Sequence, residues 1–202
     1  KTIDHAIYPI DSIQKSDLLL AYIRQIEYQS IIVFTRTKRD TDRVASWLMA
    51  NDLKKVAVIH ADRSQKEREQ ALNGFTEGRY DILVATDVAS RGLDVNGISH
   101  VVNYNVPEHA EDYVHRIGRT GRAARQGEAI TLFSGEEYSF LVAIERYIGS
   151  PIKQKKLENF AYRREPVVRA DGAPKPNSFG KRGRTGTRRG GPAGARQGQM
   201  GT

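Results

Sequence analysis

The feature that most constrains this chain is a regular alternation between two hydrophobic periods. Short apolar runs rich in β-branched residues recur as Ser30-Ile31-Ile32-Val33-Phe34, Val56-Ala57-Val58-Ile59, Asp81-Ile82-Leu83-Val84-Ala85, Ile98 to Asn103, and Ala129 to Phe133. Several are continuous rather than alternating, the pattern of a strand buried on both faces. Ile3 to Ile10 alternates loosely and reads as an opening strand. Between the runs, apolar residues fall at helical spacing: Leu18, Leu19, Tyr22, Ile23 and Ile26 behind a cap at Asp11 or Ser12, then Val44, Ala45, Trp47 and Leu48 behind a cap at Thr37. Ser64-Gln65-Lys66-Glu67 spells a capping box, predicting a helix that runs to about Glu77 and stops at Gly78. Tyr113 to Arg122 is expected to start as a helix, and Glu136 to Ile148 to form a closing one. This rhythm predicts an α/β fold, a parallel sheet flanked by helices on both faces, with ligands beyond the carboxyl ends of the strands.

The alternation stops near Tyr162, where Gly, Pro and Arg take over, as in Arg182-Gly183-Arg184 and Arg188-Arg189-Gly190-Gly191. Residues 1–160 are therefore expected to fold, and 161–202 to form an irregular, flexible basic tail. From Arg163 onward, ten Lys and Arg face only Glu165 and Asp171, which accounts for the whole net charge of +8. Such a segment suits the phosphates of RNA, without sequence choice. The absence of cysteine excludes disulfides and thiolate metal sites. No apolar run approaches the roughly 20 residues needed to span a bilayer. With Lys1 first and no signal-like segment, the chain reads as a cytoplasmic fragment with no membrane partner.

The segments just past the strands carry the chemistry. Thr35, Arg36, Thr37 and Lys38 set hydroxyls and bases beside a helix N-terminus, which suits a phosphate or, more simply, a cap. Gln65 and Arg68 stand three apart on a first helical turn, within reach of one nucleic-acid backbone, though such residues are often only solvated. Thr86 and Asp87 leave a strand together; Arg91-Gly92 then makes a turn that a ligand can approach, and Asp94 suits a ribose hydroxyl. The alternative is that Asp87 caps a short helix while Gly92 and Asp94 shape a turn. His115 to Arg122 packs four basic side chains into eight residues, and on a helix His115, Arg119 and Arg122 would share one face. Guanidinium forks match phosphate oxygens and stabilise charge on a transferring γ-phosphate; the plainer reading is a solvated basic helix end.

Four stretches recur together in order: Val33-Phe34-Thr35-Arg36-Thr37, Gln65-Lys66-Glu67-Arg68, Ala85-Thr86-Asp87 with Ser90-Arg91-Gly92-Leu93-Asp94, and His115 to Arg122. The set resembles the C-terminal RecA-like domain of a DEAD-box ATP-dependent RNA helicase over about residues 1 to 150, and the tail resembles the Arg/Gly-rich extensions of bacterial members of the RhlE type. The resemblance implies a RecA-like fold and a set of roles. Arg119 and Arg122 would contact the γ-phosphate, Arg122 as the arginine finger, with Gly92 and Asp94 at the ATP and Asp94 accepting from the ribose. His115 and Arg116 would link to the acidic motif of a partner domain, while Asp87 and Arg91 organise the interdomain face. Thr37, Gln65, Arg68 and Thr86 would hold RNA phosphates and sugars.

Two positions depart from the family pattern: Ala61, where a Gly usually follows the His, and Asn105, where an Asp is usual. No G-x-x-x-x-G-K-S/T loop is present, since Gly180-Lys181 continues into Arg182, and there is no Asp-Glu-Ala-Asp run. ATP with Mg²⁺ is thus implied as the nucleotide, its metal held mainly by a missing N-terminal RecA-like domain and not by this chain. The implied function is the C-terminal half of an enzyme that couples ATP hydrolysis to RNA binding and local duplex unwinding or RNP remodelling; the chain alone is expected to be inactive. A non-enzymatic RNA-binding module and a DNA helicase or translocase are the competing classes.

Overall fold

The computed structural model describes residues 3–90, 98–120 and 127–164. Arg91, Gly92, Asp94, Arg122 and the basic tail beyond Arg164 lie outside the described residues.

The elements follow the predicted alternation: β1 (Asp4–Pro9), α1 (Lys15–Gln25), β2 (Ile31–Thr35), α2 (Lys38–Ala50), β3 (Val56–Ile59), α3 (Gln65–Thr76), β4 (Ile82–Thr86), α4 (Asp87–Ser90), β5 (His100–Asn103), α5 (Ala110–Ile117), β6 (Glu128–Phe133), α6 (Tyr138–Ile148) and β7 (Lys153–Gln154). Single 3₁₀ turns, Ser12–Gln14 and Gly135–Glu137, precede α1 and α6. Among the described residues, seven strands form one sheet in the order β3-β4-β2-β5-β6-β1-β7, with every pairing parallel. Each β-to-β connection is a crossover, which places helices on the sheet's faces.

The continuous apolar runs serve two cores at once. In β2, Ile31 and Val33 pack with Leu18, Leu19 and Ile23 of α1 and Val44 and Leu48 of α2. Their neighbours Ile32 and Phe34 point to the opposite face, toward Phe75 of α3, Tyr113 and Ile117 of α5, and Leu141 and Ile144 of α6. Two-sided burial removes any polar alternation from the strand sequence. Each fully buried Leu or Ile contributes about 1.5–3 kcal/mol of transfer free energy, so the sheet is the main source of stability.

Several expectations need correction. Trp47 is 39% exposed, outside the α2 core stripe. The buried face of α2 is Thr41, Val44, Ala45 and Leu48, and Trp47 lies about 110° around the helix from its centre. Asp11 does cap, but its carboxylate accepts from Ile13 N–H at the 3₁₀ turn, and α1 begins at Lys15. The segment expected to start as a helix at Tyr113 does so, within a helix that begins earlier, at Ala110, and ends at Ile117. Gly118 closes α5, its N–H donating to Val114 O at 3.0 Å, and Thr120 is drawn into a parallel bridge with Ile98. His115 and Arg119 therefore do not continue one helical face. The two-residue β7 was not foreseen, because Lys-Gln has no strand signature; pairing with β1 forms it, with Lys155 N donating to Ile7 O at 2.9 Å.

Candidate functional site

The strand order assembles the site. β4 and β5 flank β2, so Thr35, Thr86 and Asn103 end three adjacent strands on one edge, with Thr35 and Thr86 in register. All three are buried. Thr35 Oγ1 meets Thr41 Oγ1 at 2.6 Å, which ties the end of β2 to α2.

Asp87 and Arg116 dominate this edge. Arg116 Nε donates to Asp87 Oδ1 at 2.6 Å and Nη2 donates to Asp87 Oδ2, a bidentate pair linking the end of β4 to α5. Nη1 donates to Asn103 Oδ1 at 2.9 Å, and the guanidinium lies 5.0 Å from the centre of the Phe34 ring. The Arg116 side chain is only 5% exposed. Its fork is thus engaged inside this chain, at the residue that the family resemblance links to the acidic motif of a partner domain. His115, next to it, faces solvent, and the half-buried Arg119 lies just past the helix, its N–H on Arg116 O at 3.1 Å.

Thr37 is the N-cap of α2, as expected. Its hydroxyl accepts from Asp40 N–H at 3.1 Å and donates to Asp40 Oδ2 at 2.9 Å. An incoming phosphate would have to compete with the Asp40 carboxylate for that hydroxyl, while Lys38 and Arg39 add charge at the positive end of the helix. The Ser64 capping box is present in full, and the hydrogen bonds from Ser64 hold the Glu67 carboxyl below its ordinary range. At the start of α3, Gln65 is exposed, with its amide on Glu69 at 2.9 Å. Arg68, half-buried, reaches across to donate to Ala89 O at 3.1 Å. The short α4 is therefore held at both ends: Arg116 grips the side chain of its first residue, and Arg68 grips a carbonyl near its last.

Sequence reasoning missed a cluster behind this edge, in which a buried Lys15–Glu137 pair meets the half-buried Asn105 and the exposed Arg36. Lys15 Nζ lies 2.6 Å from Glu137 Oε2, with both side chains about 5% exposed or less. Burial pushes the Lys15 ammonium down, against the opposing pull of Glu137. Two signals were present: Lys15 falls in register with the buried stripe Leu18, Leu19 and Tyr22, and Ser134-x-x-Glu137 is a capping box. The cluster also accounts for one departure from the family pattern. Asn105 Oδ1 accepts from Arg36 N–H at 3.0 Å while Nδ2 points at Glu137 Oε1, 3.5 Å away, a donation that an ionised Asp cannot make. Ala61, the other departure, is exposed and keeps a negative φ, so glycine's conformational freedom is not needed there. The preceding His60 is buried, its Nδ1 accepting from Asp62 N–H at 3.3 Å and its Nε2 facing Asp42 at 3.1 Å. Among the described residues, no group of three or more His, Asp or Glu is placed to hold a metal ion.

The helicase conserved C-terminal domain family matches residues 14–124. The chain is 47% identical over 149 residues to the ATP-dependent RNA helicase RhlB of Shewanella woodyi, a match covering 73% of this chain and 33% of that protein. It is 40% identical over 151 residues to the DEAD-box ATP-dependent RNA helicase RhpA of Helicobacter pylori, covering 75% and 30%. Among solved structures it is similar to the E. coli DEAD-box protein SrmB bound to regulator of ribonuclease activity A, with a TM-score of 0.76 and 36% identity over 82% of this chain and 97% of that one. It is also similar to the C-terminal domain of the DEAD-box protein Dbp5, with a TM-score of 0.70 and 31% identity over 76% and 89%. The chain spans about a third of the length of the curated relatives it matches.

Proposed function

The chain belongs to the helicase conserved C-terminal domain family, as the C-terminal RecA-like domain of a DEAD-box helicase, and from that membership we propose that it is one half of an ATP-dependent RNA helicase. In this reading residues 1–160 are the helicase domain and 161–202 a basic arm for RNA. RNA is its macromolecular substrate in this reading, as the names of RhlB and RhpA suggest, and the cytoplasm its proposed place of work. Among the described residues no helix is long and apolar enough to cross a membrane.

One observation carries the reading. Thr37, Arg68, Thr86, Asp87 and Arg116 are scattered over some eighty residues of sequence, yet their elements meet at the carboxyl edge of β4, β2 and β5. RNA would lie along that edge, its phosphates at the N-terminus of α2 and beside Gln65, Arg68 and Thr86. Backbone contacts of this kind position a strand without reading its bases.

ATP would sit between this domain and an N-terminal RecA-like domain. Arg119, together with Arg122, would meet the γ-phosphate, Gly92 and Asp94 would meet the nucleotide's ribose side, and His115 and Arg91 would face the other domain. Mg²⁺, held in this reading by residues of the other domain, would supply positive charge against the charge developing on the phosphates. The contribution of this chain is guanidinium charge aimed at the transferring phosphoryl group, worth roughly 10³–10⁵ in rate for an arginine finger. Closing the two domains would bring that charge into place and exclude water, so that RNA on one edge promotes turnover on the adjoining face.

Steady-state ATPase kinetics of the full-length protein against RNA concentration test this division. Arg119→Ala is expected to lower kcat at saturating RNA while leaving half-saturating RNA nearly unchanged. Thr86→Val is expected to raise half-saturating RNA with a smaller effect on kcat. Equal losses of RNA affinity in both variants would put Arg119 on the RNA track and overturn the assignment.

A further inference from the structure

Glu137 lies outside all the family motifs, yet three loops of the functional edge meet at its carboxylate. Oε2 accepts from Lys15 Nζ at 2.6 Å and from the N–H and hydroxyl of Ser134, each at 3.1 Å. Oε1 accepts from Val106 N–H at 3.1 Å and faces Arg36 Nη2 at 3.4 Å and Asn105 Nδ2 at 3.5 Å. Arg36 adds its own anchors: its N–H donates to Asn105 Oδ1 at 3.0 Å, Nη2 donates to Val106 O at 3.2 Å, and the guanidinium lies 5.3 Å from the centre of the Phe140 ring. Lys15 closes the set by donating to Tyr104 O at 3.1 Å.

Most of these donors stand in turns rather than in the regular core. Arg36 is in the turn from β2 to α2, Asn105 and Val106 come just after β5, and Lys15 opens α1. Burying a charge pair adds little stability over apolar residues of similar volume, because desolvation cancels most of the attraction. Its directional demands do restrict geometry: the buried Glu137 carboxylate and the Asn105 amide hold the guanidinium and backbone N–H of Arg36 from one side, while the outer face of Arg36 meets Glu108 at 3.4 Å and solvent. Arg36 is also the residue immediately before Thr37, the cap of α2.

We propose that Glu137 is a positioning residue for RNA binding: through Arg36 and Asn105 it fixes the turn that presents Thr37 and the N-terminus of α2 to the RNA backbone. This rests on the proposed role of that turn in holding RNA.

The test uses the full-length protein with single-stranded RNA of fixed length. Lys15→Met combined with Glu137→Leu removes the anchor without stranding a buried charge, so the fold is expected to persist. Half-saturating RNA should rise about tenfold, the weight of one charge-assisted hydrogen bond. The kcat at saturating RNA should stay within about twofold, and backbone amides of residues 36–41 should exchange faster with deuterium. Half-saturating RNA within about twofold of the parent overturns the proposal, whatever happens to the melting temperature.

Should the double variant not fold, Asn105→Ala decides, because it keeps the Lys15–Glu137 pair and removes the acceptor of the Arg36 N–H together with the amide that faces Glu137. It should weaken RNA binding in the same direction, and an unchanged half-saturation again overturns the proposal. Thr37→Val and Gln65→Ala run alongside. If they weaken RNA binding and the cluster variants do not, the positioning role fails alone. If none of these variants weakens it, the RNA reading of the turn fails and takes this proposal with it.

Discussion

Breaking the Asp87–Arg116 pair should cost far more stability than breaking any surface ion pair of this domain. Arg116 is 5% exposed and Asp87 26%, and Asp87 takes two of the guanidinium's donors. Asp87→Ala leaves a buried cation with, among the described residues, Asn103 Oδ1 and Asn105 O as its acceptors. Removing one partner of a fully buried pair costs about 3–5 kcal/mol; solvent reaches the Asp87 side, so about 2–3 kcal/mol is expected here. For a domain of this size each kcal/mol moves Tm by about 2–4 °C, which gives a drop of roughly 4–12 °C. Arg116→Met should be milder, because the carboxylate it strands can turn to water. Urea unfolding followed by circular dichroism on the four members of the Asp87/Arg116 cycle gives the coupling, expected at about 2 kcal/mol. Additivity within about 0.5 kcal/mol would mean that the fork is only a surface contact, and its role in tying β4 to α5 would fall.

Two further outcomes are expected from the fold. Leu48→Ala should destabilise by about 2–4 kcal/mol and Trp47→Ala by less than about 1.5 kcal/mol, as measured by the same unfolding; a larger loss at Trp47 would return it to the core. Burial lowers both His5 and His100 from their ordinary 6.5, so the unfolded chain binds more protons below that pH and stability falls as pH drops through that window. Tm followed from about pH 7 to about pH 5 should fall less steeply in a His5→Gln/His100→Gln variant, and identical slopes would refute the linkage.

The strands were legible because two-sided burial writes itself as uninterrupted apolar runs, as in Ile31 to Phe34 and Ile82 to Ala85. The caps at Thr37 and Ser64 were legible because their chemistry is local, a side chain bonding an amide three residues on. Neither condition holds for the rest. The Arg116 fork closes on Asp87, twenty-nine positions away, and Lys15 meets Glu137 across 122 positions. No local pattern names such partners, although a Lys in an apolar stripe hints that one exists. The break after α5 was hidden for another reason. The spacing of His115, Arg119 and Arg122 suits a helix, but Gly118 and the Thr120 bridge to Ile98 outweigh that pattern. Trp47 shows the same limit on a smaller scale, since helical spacing fixes an angle and the sheet decides which angles it covers.

The central claim, that this chain supplies one wall of a shared ATP site, is tested most directly by phosphate release from saturating ATP and Mg²⁺, with and without single-stranded RNA. The account predicts no turnover by the purified chain alone. It predicts RNA-stimulated turnover by the full-length protein, falling in Arg119→Ala and by roughly 10³ or more in Arg122→Ala. Steady turnover by the chain alone, indifferent to Arg119→Ala, would contradict it.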